Sequence, residues 1–204
     1  MTTTGAPAKS GEPRPLRADA QRNYQRLLSA ASATFAEHSA DDASLEEIAR
    51  RAGVGIGTLY RHFPNRQALL EAVYRDQVDV LSDRAKRLSE SADPGAALTE
   101  WLRALVKFGR TKRSLSAALL ATLDKDSEFL SACSLLMRES ASTLLSRAQQ
   151  AGVVRADADA KDLLRLVHAV IMAVEREPAD LGQADRLLGF ILDGLRTQPR
   201  LPSS

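Results

Sequence analysis

The segment Ser44–Arg66, SLEEIARRAGVGIGTLYRHFPNR, limits the possible folds of this 204-residue chain more than any other stretch. Ser44, Leu45, Glu46 and Glu47 have the form of a capping box. The Ser44 hydroxyl is placed to accept from the Glu47 N–H, and the Glu47 carboxylate to return to the N–H of Ser44. A short helix over Leu45–Ala52 follows, ending at Gly53, where a residue able to adopt positive φ is wanted. A second short helix is expected over about Ile56–Phe63. Pro64 stops it, and Asn65 is a good N-cap for a long helix carrying Leu69, Leu70, Val73, Tyr74, Val78 and Leu81. Two short helices joined by a three- to four-residue turn containing glycine make a helix-turn-helix. Ile48 and Leu59 face inward with Val54 between them, and Ala49 is small where the helices cross. Gly57, Thr58, Arg61 and His62 are then free to point outward.

The rest of the chain reads as helix. Leu27, Leu28, Ala31, Phe35 and Ala36 recur at helical spacing between Asp19 and His38. Beyond Asp93-Pro94-Gly95, helical patterns run over about 96–111, 114–123, 126–151, 157–175 and 180–197. No stretch alternates with period two and β-branched enrichment, so no sheet is expected. The predicted fold is all-α. It has an unstructured arm over 1–17, a helix-turn-helix domain over 18–66, and a helical bundle over 67–200.

Composition excludes several classes. At 44% hydrophobic the chain can bury a core, and its single cysteine, Cys133, rules out a disulfide scaffold or a cysteine-rich zinc site. The three histidines are far apart in sequence, and no metal or cofactor is implied. No apolar run nears the ~18 residues of a membrane span, and the N-terminus lacks an apolar signal region, so a cytoplasmic protein without membrane attachment is expected. No phosphate loop, paired catalytic carboxylates or nucleophile triad stands out, which argues against an enzyme. The 28 basic and 26 acidic residues nearly cancel. The stretch from Arg50 to Arg66 nevertheless holds four arginines and no acid, the local bias that a phosphate-facing surface needs. A solvated arginine-rich helix face reads the same way on charge alone.

Residues 19–75 resemble the DNA-binding domain of the tetracycline-repressor (TetR) family of bacterial transcriptional regulators. The matching residues are Phe35-Ala36-Glu37, then Leu45, Ile48-Ala49 and Ala52-Gly53-Val54. Gly57-Thr58-Leu59-Tyr60, His62-Phe63, Asn65-Arg66 and Leu69-Leu70 complete the match. The resemblance implies a recognition helix whose N-terminal end enters the major groove of double-stranded DNA. It implies that Thr58 faces bases or phosphate, that Gly57 lets the backbone approach, and that Tyr60 and His62 contact phosphate. Arg61 then stands at a variable base-reading position, where arginine prefers guanine. Arg66 matches a phosphate-binding position, and Ser44 opens a helix whose N–H groups can meet a phosphate. Arg14 and Arg17 of the arm could add contacts. Each role has a plainer rival: Phe63 is core, the Tyr60 ring could serve the core while its hydroxyl meets phosphate, and His62 could be an exposed or capping residue.

The same resemblance places a small-molecule effector pocket in the C-terminal bundle. Trp101, Cys133, Met137 and His168 are its candidates, with ordinary core packing as the alternative. Cys133 has no charged sequence neighbour to activate it as a redox sensor. Two helices near the C-terminus are apolar over more than one face. Val167, Val170, Ile171 and Val174 on the first, with Leu188, Ile191 and Leu195 on the second, are the candidate homodimer interface. The implied function is a ligand-released homodimeric repressor. An activator, a nucleoid-associated regulator and a protein–protein module stay open.

Overall fold

Short-range capping sets where the helices begin. The computed structural model describes residues 14–37, 43–111, 113–123, 127–174 and 182–197. Helix α1 spans Arg14–Glu37, and α2 (Leu45–Ala52) opens on Ser44, whose Oγ accepts from the Glu47 N–H at 3.3 Å. Helix α3 is Ile56–His62. Helix α4 (Arg66–Leu88) opens on Asn65, which accepts from the Ala68 N–H at 2.8 Å. Asp93 accepts from the Ala96 N–H at 2.9 Å and starts α5 (Pro94–Thr111). Pro94 occupies a first-turn position where a missing N–H costs nothing. Helices α6 (Arg113–Thr122) and α7 (Glu128–Gln150) follow. Asp159 accepts from the Lys161 N–H at 2.7 Å ahead of α8 (Ala160–Val174), and α9 is Gln183–Leu195. Such caps contribute about 1 kcal/mol each.

Three local expectations need correction. Helix α1 starts at Arg14, inside the stretch read as an unstructured arm; residues 1–13 and 38–42, and the side chains of Arg14 and Arg17, lie outside the described residues. Ala36 is exposed, and Thr34 is buried in its place, its hydroxyl satisfied by the Ala30 carbonyl at 2.9 Å. The capping box is half made: the Glu47 carboxylate accepts from Arg50 and Arg51 instead of returning to Ser44.

Two apolar cores organise the helices. The first joins α1, α2 and α3 to the N-terminal half of α4 through Leu27, Phe35, Ile48, Leu59, Phe63 and Leu69. It also takes Leu115, Ala118 and Leu119 from α6, so it extends well past residue 66. The second joins the C-terminal half of α4 to α5, α7, α8 and α9 around Trp101, whose indole N–H donates to the Leu81 carbonyl at 3.0 Å. Gly53 closes α2 at φ 67°, its N–H donating to the Arg50 carbonyl at 3.0 Å. An antiparallel bridge between Val154 and Arg196 ties the loop after α7 to the end of α9. Among the described residues, no helix is long and apolar enough to cross a membrane.

Candidate functional site

Helix α3 sits on the first core through Leu59, which is fully buried. That one contact fixes the rotation of a seven-residue helix and decides which side chains face out. Gly57 and Arg61 are exposed, and Thr58 is half-buried at the first turn, its N–H bonded to the Gly55 carbonyl at 2.9 Å. Among the described residues, nothing beyond the helix's own adjacent backbone lies within 4 Å of where a Gly57 Cβ would sit, so packing among them does not require a glycine there. Tyr60 is 46% exposed, so its ring does not serve the core as one reading had it. Phe63 is core. His62 is half-buried and packs edge-on against Tyr24 of α1, with ring centroids 5.8 Å apart.

The charges around α3 are not those of the linear sequence. The run from Arg50 to Arg66 contains no acid, yet Glu47 reaches Arg51 at 2.7 Å and also pairs with Arg50, and Glu37 reaches Arg51 at 2.6 Å from α1. The two guanidiniums hold the Glu47 carboxyl below the usual range. Arg66 donates to the Ala43 carbonyl at 2.7 Å, tying the start of α4 to the residues before α2. The Ser44 hydroxyl donates to the Glu46 carboxylate at 2.8 Å, so an acid already stands at the anion-accepting end of α2. Arg61 is exposed and makes no ion pair among the described residues. Of the predicted DNA-contact set, Gly57, Thr58, Tyr60 and Arg61 share the outer side of α3. Ser44 and Arg66 have partners within the chain.

A cavity of about 800 Å³ lies between α4, α5, α6, α7 and α8. Cys133, Met137 and His168 line it together, although they come from two helices and 36 positions of sequence. Trp101 does not; it is fully buried in the second core with its N–H satisfied, and its assignment to the pocket is corrected. Burial pushes the Cys133 thiol above its ordinary range, with Arg75 opposing and Asp79 adding to the shift. The sequence reading missed Tyr74, Leu105 and Phe108, and also Arg138, Lys161 and Arg165 at the cavity. The signal was present in part: Lys161, Arg165, His168 and Met172 recur at helical spacing on one side of α8.

The residues proposed as a dimer interface lie elsewhere than expected. Val167, Val170, Ile171, Val174, Leu188 and Leu195 are buried inside the subunit, and Ile191 is half-buried against the same core. Side chains already removed from water gain nothing more from a second copy. Apart from Met172 at the cavity, the apolar surface these two helices leave open is carried by Leu166, Ala169 and Ala173 on α8 and by Phe190, 72% exposed, on α9.

Comparisons with known proteins agree with this architecture. Residues 27–73 match the model of bacterial regulatory proteins of the tetR family, and residues 93–197 match the SbtR-like transcriptional regulator C-terminal domain. A TetR transcriptional regulator from Streptomyces coelicolor is 35% identical, with 86% of this chain and 99% of that chain covered and a TM-score of 0.75. A TetR regulatory protein from Mycobacterium vanbaalenii is 38% identical over 90% of this chain and all of that one, with a TM-score of 0.73. An HTH-type transcriptional regulator of Staphylococcus aureus is 33% identical over 75 residues, so the match spans 40% of that relative and 37% of this chain. With both halves of the molecule matched and its helix order shared, the chain belongs to the TetR family of transcriptional regulators.

Proposed function

We propose that the protein is a ligand-released homodimeric repressor that places α3 of each subunit in the major groove of a quasi-palindromic operator. The observation that carries this reading is the outer side of α3. Leu59 faces the core, while Gly57, Thr58, Tyr60 and Arg61 face away from it and Arg61 has no ion-pair partner among the described residues. A slim N-terminal end suits a helix that enters the groove, and an exposed arginine can reach a guanine edge there.

Release is supported by two helices that belong to both halves of the molecule. Helix α6 gives Ala117 to the cavity and Leu115, Ala118 and Leu119 to the first core, where it packs on α4 and α1. Helix α4 gives Tyr74 to the cavity and Leu69, Leu70 and Val73 to that same core. A ligand that needs a different placement of α4 or α6 would shift the DNA-binding unit by as much as its differential affinity for the two states allows. Dimerisation is supported by the open apolar strip of Leu166, Ala169, Ala173 and Phe190, whose small residues permit close approach of a second copy.

The test is selection of bound duplexes from a random pool at ~0.15 M salt, where weak non-specific binding is suppressed. Recovery of one quasi-palindrome with half-sites about a helical turn or slightly more apart is the expected result. Recovery of many unrelated duplexes would replace the repressor reading with a nucleoid-type regulator. Recovery of none by folded protein would overturn it.

A further inference from the structure

We infer that the cavity takes an amphipathic carboxylate, with the charged head held at the mouth by Arg138, Lys161, Arg165 and His168 and the hydrocarbon part lying inward. This rests on the ligand-released reading above and names the chemistry of its ligand.

The distribution of polarity around the cavity carries the inference. Leu105, Cys133, Val167 and Ile171 are buried, and they form apolar wall with Phe108 and Leu164. The four basic side chains are all exposed, so they stand where the cavity meets water. Among the described residues, no acid lines the cavity. In a chain with 28 Lys and Arg against 26 Asp and Glu, two arginines, a lysine and a histidine at one opening, with no acid among its described lining residues, make a local field, not a reflection of net charge.

Three of the four lie on one stripe of α8 because 161, 165 and 168 are spaced four and three apart, and Arg138 joins them from α7. Arg138, Lys161 and His168 have no ion-pair partner among the described residues. Arg165 pairs with Asp162 at 3.0 Å, but both side chains are about two-thirds exposed, and such a pair is weak enough in water for a better-placed carboxylate to displace. Guanidinium and ammonium groups bind a carboxylate by charge-assisted hydrogen bonds and repel a cationic head. A neutral ligand could fill the apolar part but would leave these donors facing only water.

Three probes sharing one chain and differing in the head test this: dodecanoate, dodecanol and dodecyltrimethylammonium. Each is titrated calorimetrically into the full-length protein below its micelle-forming concentration. Dodecanoate should bind at least tenfold more tightly than dodecanol, and dodecyltrimethylammonium most weakly. The advantage should shrink as salt rises, since the head sits among exposed charges. In Lys161→Gln/Arg138→Gln the ratio of dodecanoate to dodecanol affinity should fall at least tenfold. Met137→Trp, which fills the cavity, should abolish binding, and Ala117→Trp serves the same purpose if that variant does not fold. Equal or tighter binding of dodecanol or dodecyltrimethylammonium, still blocked by the filling variant, would overturn the anion preference and leave the pocket in place. No binding by any probe, or binding indifferent to the filling variants, would overturn the anion preference and the pocket assignment together.

Discussion

Arg61 and Arg66 lie five positions apart in one arginine-rich stretch, and the fold uses them differently. Arg61 projects from α3 without an ion pair among the described residues, whereas Arg66 donates to the Ala43 carbonyl at 2.7 Å. Arg61→Ala should therefore relax operator preference at one base pair, by about 1–3 kcal/mol. Its urea unfolding free energy should stay within about 0.5 kcal/mol of the parent. Arg66→Ala should lower that free energy by about 1 kcal/mol, because it removes a hydrogen bond from a half-buried group. Equal unfolding curves for the two variants would contradict this division of roles. Gly53 stands at φ 67°, and a Cβ there would also lie 2.6 Å from the Arg26 guanidinium. Gly53→Ala should cost about 1–2 kcal/mol from the left-handed backbone alone, measured by the same unfolding experiment. The Cys133 thiol is shifted upward by burial, so little thiolate is present near neutrality. Its alkylation rate should rise with a midpoint above the ~8.5 of a free cysteine. Alkylation at pH 7 as fast as that of a free thiol would refute the assignment.

At the scale of elements, the helices follow from local signals that act within four residues. Asn65, Asp93 and Asp159 cap their helices, and Gly53 ends α2. The α5 to α9 segments predicted from apolar spacing match the observed helices to within a few residues. What each helix face meets was less legible. Helix α6 reads in sequence as one more member of the C-terminal bundle, yet Leu115, Ala118 and Leu119 enter the first core, against α1 and α4. That assignment depends on how α1 and α4 leave a groove for it, which no sequence window spans. Helices α5 and α8 cross closely at Gly109, where a Cβ would lie 2.4 Å from Ile171 Cδ1 and 2.9 Å from two further atoms of that side chain. Gly109→Ala should drive Ile171 toward the cavity it lines. The expected outcome is a loss of about 1–3 kcal/mol from overpacking, together with weaker probe binding in the titration described above. An unchanged melting temperature and affinity would show that α5 moves aside instead.

At the scale of the whole molecule, the subunit is two cores joined through α4, with α6 packed into the first core and giving Ala117 to the cavity. The strip of Leu166, Ala169, Ala173 and Phe190 remains open. A charge placed in that strip would be buried unpaired if a second copy covers it. Phe190→Asp and Ala173→Glu should each shift sedimentation equilibrium to the monomer and weaken operator binding. The midpoint of unfolding extrapolated to the lowest protein concentration should change little. Dimers that persist in both variants would place the interface on another surface.

The sequence by itself determined the helical class, most helix boundaries, the helix-turn-helix and the inward set of Ile48, Leu59 and Phe63. Capping and 3.6-residue periodicity are local interactions, and they are written in consecutive residues. Only the tertiary structure decided three matters. It brought Glu37 of α1 to Arg51, which added to the local Glu47 pairs within α2 and so reduced the free charge near α3. It divided the sides of α8, turning Leu163, Val167, Val170 and Val174 into the core, Lys161, Arg165 and His168 to the cavity, and Leu166, Ala169 and Ala173 to the outside. It also put Trp101 in the second core, away from the pocket. An apolar or charged residue states only that it suits burial or water. Which neighbour it meets depends on segments tens of residues away, and that information exists only once the helices have packed.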